Sequence, residues 1–249
     1  MASLSGRTAL VTGATRGIGL AIVRGLAQAG ARVIVSSRKA EAVAAVVEAL
    51  RTAGHEAAGV PAHVGRSEDV ARLAAQAVAA FGGCDILVNN AAANPVFGPV
   101  QETSDEAFEK IMAVNVRGPF QLARALLPHL AAGGGSIVNI SSIGGVSPEH
   151  GLGIYSVSKA ALISLTQVMA REWGPSGVRA NAICPGLIRT DFSQTLWQDP
   201  AIMGRFLKAQ PIPRIGEPED VAGMAVFLAS GAAAYCTGGT YMVDGGYTI

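Results

Sequence analysis

Tyr155 and Lys159 are the residues of this chain best suited to move a proton. They stand four apart in a stretch with helical periodicity, so their side chains share one helix face, a turn apart. A free tyrosine hydroxyl titrates near about 10 and is a poor acid or base at neutral pH. An ammonium beside it favours the phenolate, so the spacing predicts a tyrosine whose pKa is lowered toward the range useful for proton transfer. Thirteen residues before it, Ser142 follows the apolar strand Ser136–Ile140 and could hydrogen-bond the oxygen of a carbonyl or alcohol lying against the tyrosine. Alone, each of these motifs is common on solvated helix faces and at turns. A second motif near the other end of the chain narrows the chemistry.

That motif is Gly13-Ala-Thr-Arg-Gly-Ile-Gly19, set between the buried-type run Thr8–Thr12 and a helical pattern over 20–29. Glycines let the backbone turn tightly against a pyrophosphate, and a helix N-terminus offers it free N–H groups and a positive dipole end. The spacing is Gly-x-x-x-Gly-x-Gly, not the commoner Gly-x-Gly-x-x-Gly. A second strand, Arg32–Ser36, should end at the adenosine ribose, where an acidic residue would bond the 2′-hydroxyl of NAD and repel a 2′-phosphate. Ser36, Ser37 and Arg38 stand there instead, and Arg16 can approach from the glycine turn. Two guanidinium groups bracketing one point suit a phosphate, so NADP(H) is the expected cofactor.

Elements able to position these groups alternate along all 249 residues. Further strands are expected at 56–64, 85–89, 136–140, 178–183 and 240–244, with helices between them, Ser67 and Ser104 capping two. Strand–helix alternation without a linker or repeat predicts one α/β domain over 1–249, a doubly wound parallel sheet of about seven strands flanked by helices. Half the residues are hydrophobic and 15% charged, enough apolar material to cover both sheet faces. A formal charge of +1 gives no basis for binding nucleic acid or an anionic membrane. No apolar run reaches the length of a membrane span, and the N-terminus lacks a signal-type pattern, so a cytoplasmic protein is expected. Three unpaired-type cysteines and four scattered histidines build no metal site. Asn115, inside an otherwise apolar helical stretch, is either satisfied by backbone or bends the helix to serve a water network. The long excursion over 187–213, carrying Phe192, Leu196 and Trp197, reads as a substrate-covering lid or as surface helices at a subunit contact.

Together these motifs, in this order, resemble the short-chain dehydrogenase/reductase family over essentially the whole chain. Thr12, Gly13, Gly17 and Gly19 match its cofactor loop, and Asn89-Asn90-Ala91 its Asn-Asn-Ala-Gly stretch, with Ala92 in place of the glycine. Asn115, Ser142, Tyr155 and Lys159 match its catalytic tetrad, and Pro185-Gly186 with Thr190 the segment along the nicotinamide. The resemblance implies a Rossmann fold and hydride transfer between a nicotinamide and a carbonyl or secondary alcohol. Tyr155 would then be the acid or base, Ser142 the group that orients the substrate oxygen, Lys159 a partner of tyrosine and nicotinamide ribose, and Asn115 the holder of a proton-relay water. It further implies cofactor contacts from Thr15, Arg16 and Ile18, from Ser37 and Arg38, and from Asn90, Ala91 and Ile188. His63-Val64 stands where many members have Asp-Val at the adenine, so both are carried over as adenine contacts. Asn94-Pro95-x-Phe97-Gly98 and the segment 185–197 resemble NADP-dependent carbonyl reductases of hydrophobic substrates. A 3-oxoacyl-thioester reductase shares the same motifs; its acidic carrier would meet Arg117, Arg124, Arg189, Arg205 or Lys208. A non-catalytic NADP-binding regulator is the alternative from another class. A homotetramer is what the resemblance implies for assembly.

Overall fold

The computed structural model describes residues 3–249. Seven parallel strands form one sheet in the order β3-β2-β1-β4-β5-β6-β7. They are β1 (Thr8–Thr12), β2 (Arg32–Ser36), β3 (Ala57–Gly59), β4 (Ile86–Asn89), β5 (Ser136–Ile140), β6 (Arg179–Pro185) and β7 (Thr240–Val243). Helices α1 (Gly17–Gln28), α2 (Ala40–Thr52), α3 (Ser67–Phe81), α4 (Asp105–Met112), α5 (Gly118–Ala132) and α6 (Gly153–Trp173) alternate with the strands, and α7 (Gln194–Trp197), α8 (Pro200–Ala209) and α9 (Pro218–Ala229) follow β6. The expected doubly wound α/β sheet is thus present.

Both faces are covered because the strand side chains alternate between two apolar layers. Ala9, Val11, Val33, Val35, Ile86 and Val88 point into one, with α1, α2 and α9. Leu10, Ile34 and Leu87 point into the other, with α3, α5 and α6. A third, small cluster joins α7 and α8 to Ile143, Leu187 and Met242, on the side where β6 delivers the chain.

Three local expectations are corrected. β3 is three residues long, not nine, because Pro61 has no N–H to donate and the chain leaves the sheet there. The helix expected to run unbroken from Asp105 is split at 113–117 by a π turn that contains Asn115. Ser67 does not cap α3; Arg66 occupies the cap, and the Ser67 hydroxyl bonds Gln121 at 3.1 Å.

One buried polar chain ties the sheet to α6. Asn89 Nδ2 donates to Asn139 Oδ1 at 2.8 Å, Asn139 Nδ2 to Thr166 Oγ1 at 2.8 Å, and Thr166 Oγ1 to the Leu162 carbonyl at 2.7 Å. All three side chains are buried, so each bond broken leaves a polar atom without water. Asn139→Ala, which orphans two partners at once, is expected to cost about 2–4 kcal/mol in chemical denaturation.

Candidate active site

The sheet order reverses between β1 and β4, which opens a crevice at their C-terminal ends. The glycine turn lies on one side of it, locked to the other by Asn90. Its Nδ2 donates to the carbonyls of Thr12 (3.0 Å) and Gly13 (3.1 Å), while Thr12 Oγ1 accepts from the N–H groups of Asn90 and Ala91. Gly13 has φ +63°, and a Cβ built on Gly19 would stand 2.2 Å from the Gly13 carbonyl oxygen, so neither position tolerates a side chain. Thr12, the first residue of the glycine motif, is a positioning residue: its hydroxyl ends a buried strand and holds the segment that leaves β4.

The N-terminus of α1 has no side-chain cap and no acidic residue in its first turn, leaving its N–H groups and dipole for an anion. Beyond it, the Thr15 and Ser37 hydroxyls meet at 3.1 Å, the buried Ser36 Oγ has no partner, and Arg38 is exposed beside them. An uncapped helix end, an orphan hydroxyl and a guanidinium in one row fit a phosphorylated dinucleotide. Arg16, by contrast, is engaged: its Nη1 lies 3.1 Å from Asp191 Oδ2. At the far end, the His63 N–H donates to Asp69, and its Nδ1 accepts from the Gly65 N–H at 3.1 Å, while the Val64 side chain is buried.

On the nicotinamide side of the crevice, β5 and α6 bring Ser142, Tyr155 and Lys159 together. Successive serines point apart: Ser141 Oγ donates to the Lys159 carbonyl at 2.8 Å, whereas Ser142 faces Tyr155 and accepts from the Gly144 N–H. Burial pushes the Tyr155 pKa up to about 12, opposed in part by the Ser142 hydroxyl and reinforced by Cys184. This overturns the expected lowering. The Lys159 ammonium sits 5.5 Å from the Tyr155 ring centroid and donates to the Ile140 carbonyl at 2.7 Å, so it is not hydrogen-bonded to the phenol oxygen. Desolvation of the phenolate therefore dominates, and the tyrosine is a protonated donor at neutral pH. Burial pulls Lys159 itself down to about 8.

Asn115 is fully buried and joins the two halves of the crevice. Its Oδ1 accepts from the Ala93 N–H at 2.8 Å, and its Nδ2 donates to the Ala93 carbonyl and to Ser158 Oγ, both at 3.0 Å. Of the two alternatives read from the sequence, local satisfaction accounts for every polar atom of its side chain. Ser158, next to the lysine, was not foreseen.

Pro185 ends β6 and Gly186 carries the chain out of it, the Gly186 N–H donating to the Val243 carbonyl. Ile188 is buried, and Thr190 Oγ1 accepts from the Ser193 N–H at 3.3 Å, opening a turn that places Phe192 6.0 Å from the Tyr155 ring. Leu196 and Trp197 pack instead into the small third cluster, and the indole N–H donates to the Thr190 carbonyl at 2.9 Å. Trp197 therefore anchors this segment, and Phe192 is the aromatic that stands over the tyrosine. Across the mouth, the Phe97 ring lies against Gly151, and the Gly98 N–H bonds its carbonyl at 3.0 Å.

The family model described as enoyl-(acyl carrier protein) reductase matches residues 13–248. Bovine "dehydrogenase/reductase SDR family member 4" is 48% identical over 244 residues, 98% of this chain and 88% of that protein. The chain belongs to the short-chain dehydrogenase/reductase family. The human counterpart of the bovine protein is 46% identical over the same span. Among solved structures, a gluconate 5-dehydrogenase from Burkholderia cenocepacia in complex with NADP and tartrate superposes with a TM-score of 0.95 at 35% identity, covering 99% of this chain and 96% of that one. A blue fluorescent protein from a metagenomic library, in complex with NADPH, gives 0.92 at 35% identity, with 99% and 100% covered. As a member of this family of dehydrogenases and reductases, the chain is an oxidoreductase.

The buried lysine carries a stability cost of known sign. Its folded pKa, about 8, lies below the ordinary 10.5. The fold therefore disfavours the ammonium; the penalty is in full force below pH 8 and fades as the pH rises toward 10.5. Lys159→Met is expected to raise the unfolding free energy at pH 7 by about 1–3 kcal/mol and to narrow its gain at pH 10, read by denaturation at both pH values.

Proposed function

We propose that this dehydrogenase/reductase is an NADPH-dependent reductase of hydrophobic ketones and aldehydes. The observation that carries the reading is the buried, protonated Tyr155 facing Ser142 on one side and the Phe192 ring on the other. A carbonyl oxygen seated there receives the phenolic proton, while Ser142 orients and polarises it. Bound NADPH supplies the hydride to the carbonyl carbon. Lys159 places a positive charge beneath the tyrosine ring that favours the phenolate left after transfer. Asn115 holds Ala93 and Ser158 in place beside the tyrosine, whose carbonyl the Ser158 hydroxyl bonds.

The cofactor reading rests on Arg38, Ser37, Thr15 and the orphan Ser36 hydroxyl at the end of β2, and on the absence of an acid there. Gly13, Gly17, Ile18 and Gly19 cradle the pyrophosphate at α1; Ala91, Pro185, Gly186, Ile188 and Thr190 line the nicotinamide half; His63 and Val64 flank the adenine. NADP and NADPH in the two solved relatives support it.

Substrate class follows from the walls. Phe192 and Phe97 are both about half exposed at the mouth, which suits an apolar carbonyl compound better than a polyol. Residues 187–213 serve as the lid. The carrier-linked thioester reading is less supported: Arg189 is paired with Glu217 at 3.0 Å, and Arg124 lies over Phe120. The assembly we propose is a homotetramer; Phe108, Phe120, Val157 and Val168 on α4–α6 are exposed, as a helix-paired interface requires. No helix among the described residues is long and apolar enough to cross a membrane, and the three cysteines are free, which supports a cytoplasmic setting.

The direct test is NADPH oxidation with hydrophobic ketones and diketones against an acetoacetyl thioester, each repeated with NADH. Ketone turnover with NADPH is expected to dominate, and preference for the thioester would overturn the substrate class. Tyr155→Phe should lose at least about 100-fold in kcat and keep its NADPH affinity, since only the proton donor goes. Phe192→Ala should raise KM for hydrophobic ketones about 5- to 50-fold and leave NADPH affinity within twofold, measured by fluorescence titration.

A further inference from the structure

We propose that Asp191 sets how strongly this enzyme prefers NADPH over NADH, by competing with the cofactor 2′-phosphate for Arg16. The proposal rests on the NADPH reading above and on the expectation from the sequence that Arg16 joins Arg38 at that phosphate. Arg16 occupies the residue position before α1 within the glycine turn, and Asp191 opens the turn that follows Thr190, 175 residues along the chain. Their side chains meet at 3.1 Å, and among the described residues neither makes another side-chain hydrogen bond.

The meeting is built in. The backbone at Gly17 approaches Thr190 so closely that a Cβ there would lie 3.0 Å from Thr190 Cγ2. Thr190 is in turn fixed by Ser193 and by the Trp197 indole, so Asp191 is held within reach of the glycine turn whatever its own side chain does. An acceptor tethered in this way acts at a high effective concentration. Arg16 has one charge to share between a carboxylate always present and a phosphate that arrives with the cofactor. NADPH must draw it away from Asp191, and its apparent affinity falls by the fraction of Arg16 left free. NADH has no 2′-phosphate and leaves the pair intact. Asp191 thus lowers the affinity of NADPH selectively, acting through Arg16 as a positioning residue.

Both side chains are largely exposed, 64% and 69%, which bounds the effect. Exposed pairs of this kind shift an equilibrium by about two- to fivefold at low salt, less as salt screens them. Removing the carboxylate also relieves repulsion of the pyrophosphate, but equally for both cofactors. The discriminating quantity is therefore the ratio of dissociation constants.

The test is titration of nicotinamide fluorescence with NADPH and NADH on wild type, Asp191→Asn, Arg16→Leu and the double variant, at low and at high salt. Asp191→Asn is expected to raise the NADPH-over-NADH affinity ratio by about two- to fivefold at low salt and by less at high salt. In the Arg16→Leu background the same substitution should leave the ratio unchanged. If Asp191→Asn weakens both cofactors alike, the pair is a strap over the dinucleotide and the proposal is overturned. If its ratio is unchanged while Arg16→Leu lowers NADPH affinity at least tenfold, competition is overturned and the 2′-phosphate reading stands. If Arg16→Leu leaves the ratio unchanged, that reading fails for Arg16 and takes the proposal with it.

Discussion

The site is organised by the need to bury an ammonium. Lys159 is 2% exposed, among the largest fully enclosed side chains of the protein. A charge so placed is tolerated only when its donors are satisfied and its surroundings held still. The Ile140 carbonyl accepts from it at the end of β5, and Ser141 bonds the Lys159 carbonyl in return. These two bonds clamp α6 to β5 in both directions and thereby fix the height of Tyr155 above the strand ends. Farther along the same helix, Thr166 meets Asn139 and, through it, Asn89. The buried side-chain network of Asn89, Asn139 and Thr166 thus lies where α6 must be registered against β4 and β5.

The two sides of the crevice are stiffened by different means. The dinucleotide side rests on glycine: without a Cβ at 13 and 19 the turn closes up, and the Asn90 and Thr12 side chains bond it to the segment leaving β4. The substrate side is held by side chains: Asn115 on Ala93, and Trp197 on Thr190. A steric requirement met by glycine admits no substitution, whereas aromatic and aliphatic walls can be exchanged for others of similar volume. The cofactor side of the crevice is thus the sterically constrained one and the substrate side the adjustable one.

Much of this was legible in the chain. Short apolar runs alternating with helical patterns, and a glycine turn between strand and helix, reveal the sheet, because those signals are local. The Tyr155–Lys159 pairing is legible for the same reason. What was not legible depends on contacts distant in sequence. The π turn at 113–117 is stabilised by Asn115 reaching Ala93, 22 residues away, which helical periodicity cannot register. The direction of the tyrosine shift turns on where one ammonium points and how dry the site is, and neither is encoded in a spacing of four. Arg16 looked free to meet a phosphate because its partner Asp191 lies 175 residues along the chain. Trp197 as an anchor of its segment is not legible from the sequence, because its bond is to a backbone carbonyl, a group every residue possesses.

The short β3 has a bearing on how copies of the chain can associate. A parallel sheet has two open edges, each a template onto which another chain's strand could add. At the β3 edge only Ala57–Gly59 present a strand, and Pro61 follows at once, so there is too little regular backbone to recruit a neighbour and growth in that direction is blocked. The opposite edge, β7, is unobstructed by proline and only half-buried. The two edges are therefore unlike: strand addition is disfavoured at β3, where a proline follows at once, and is not opposed by proline within β7.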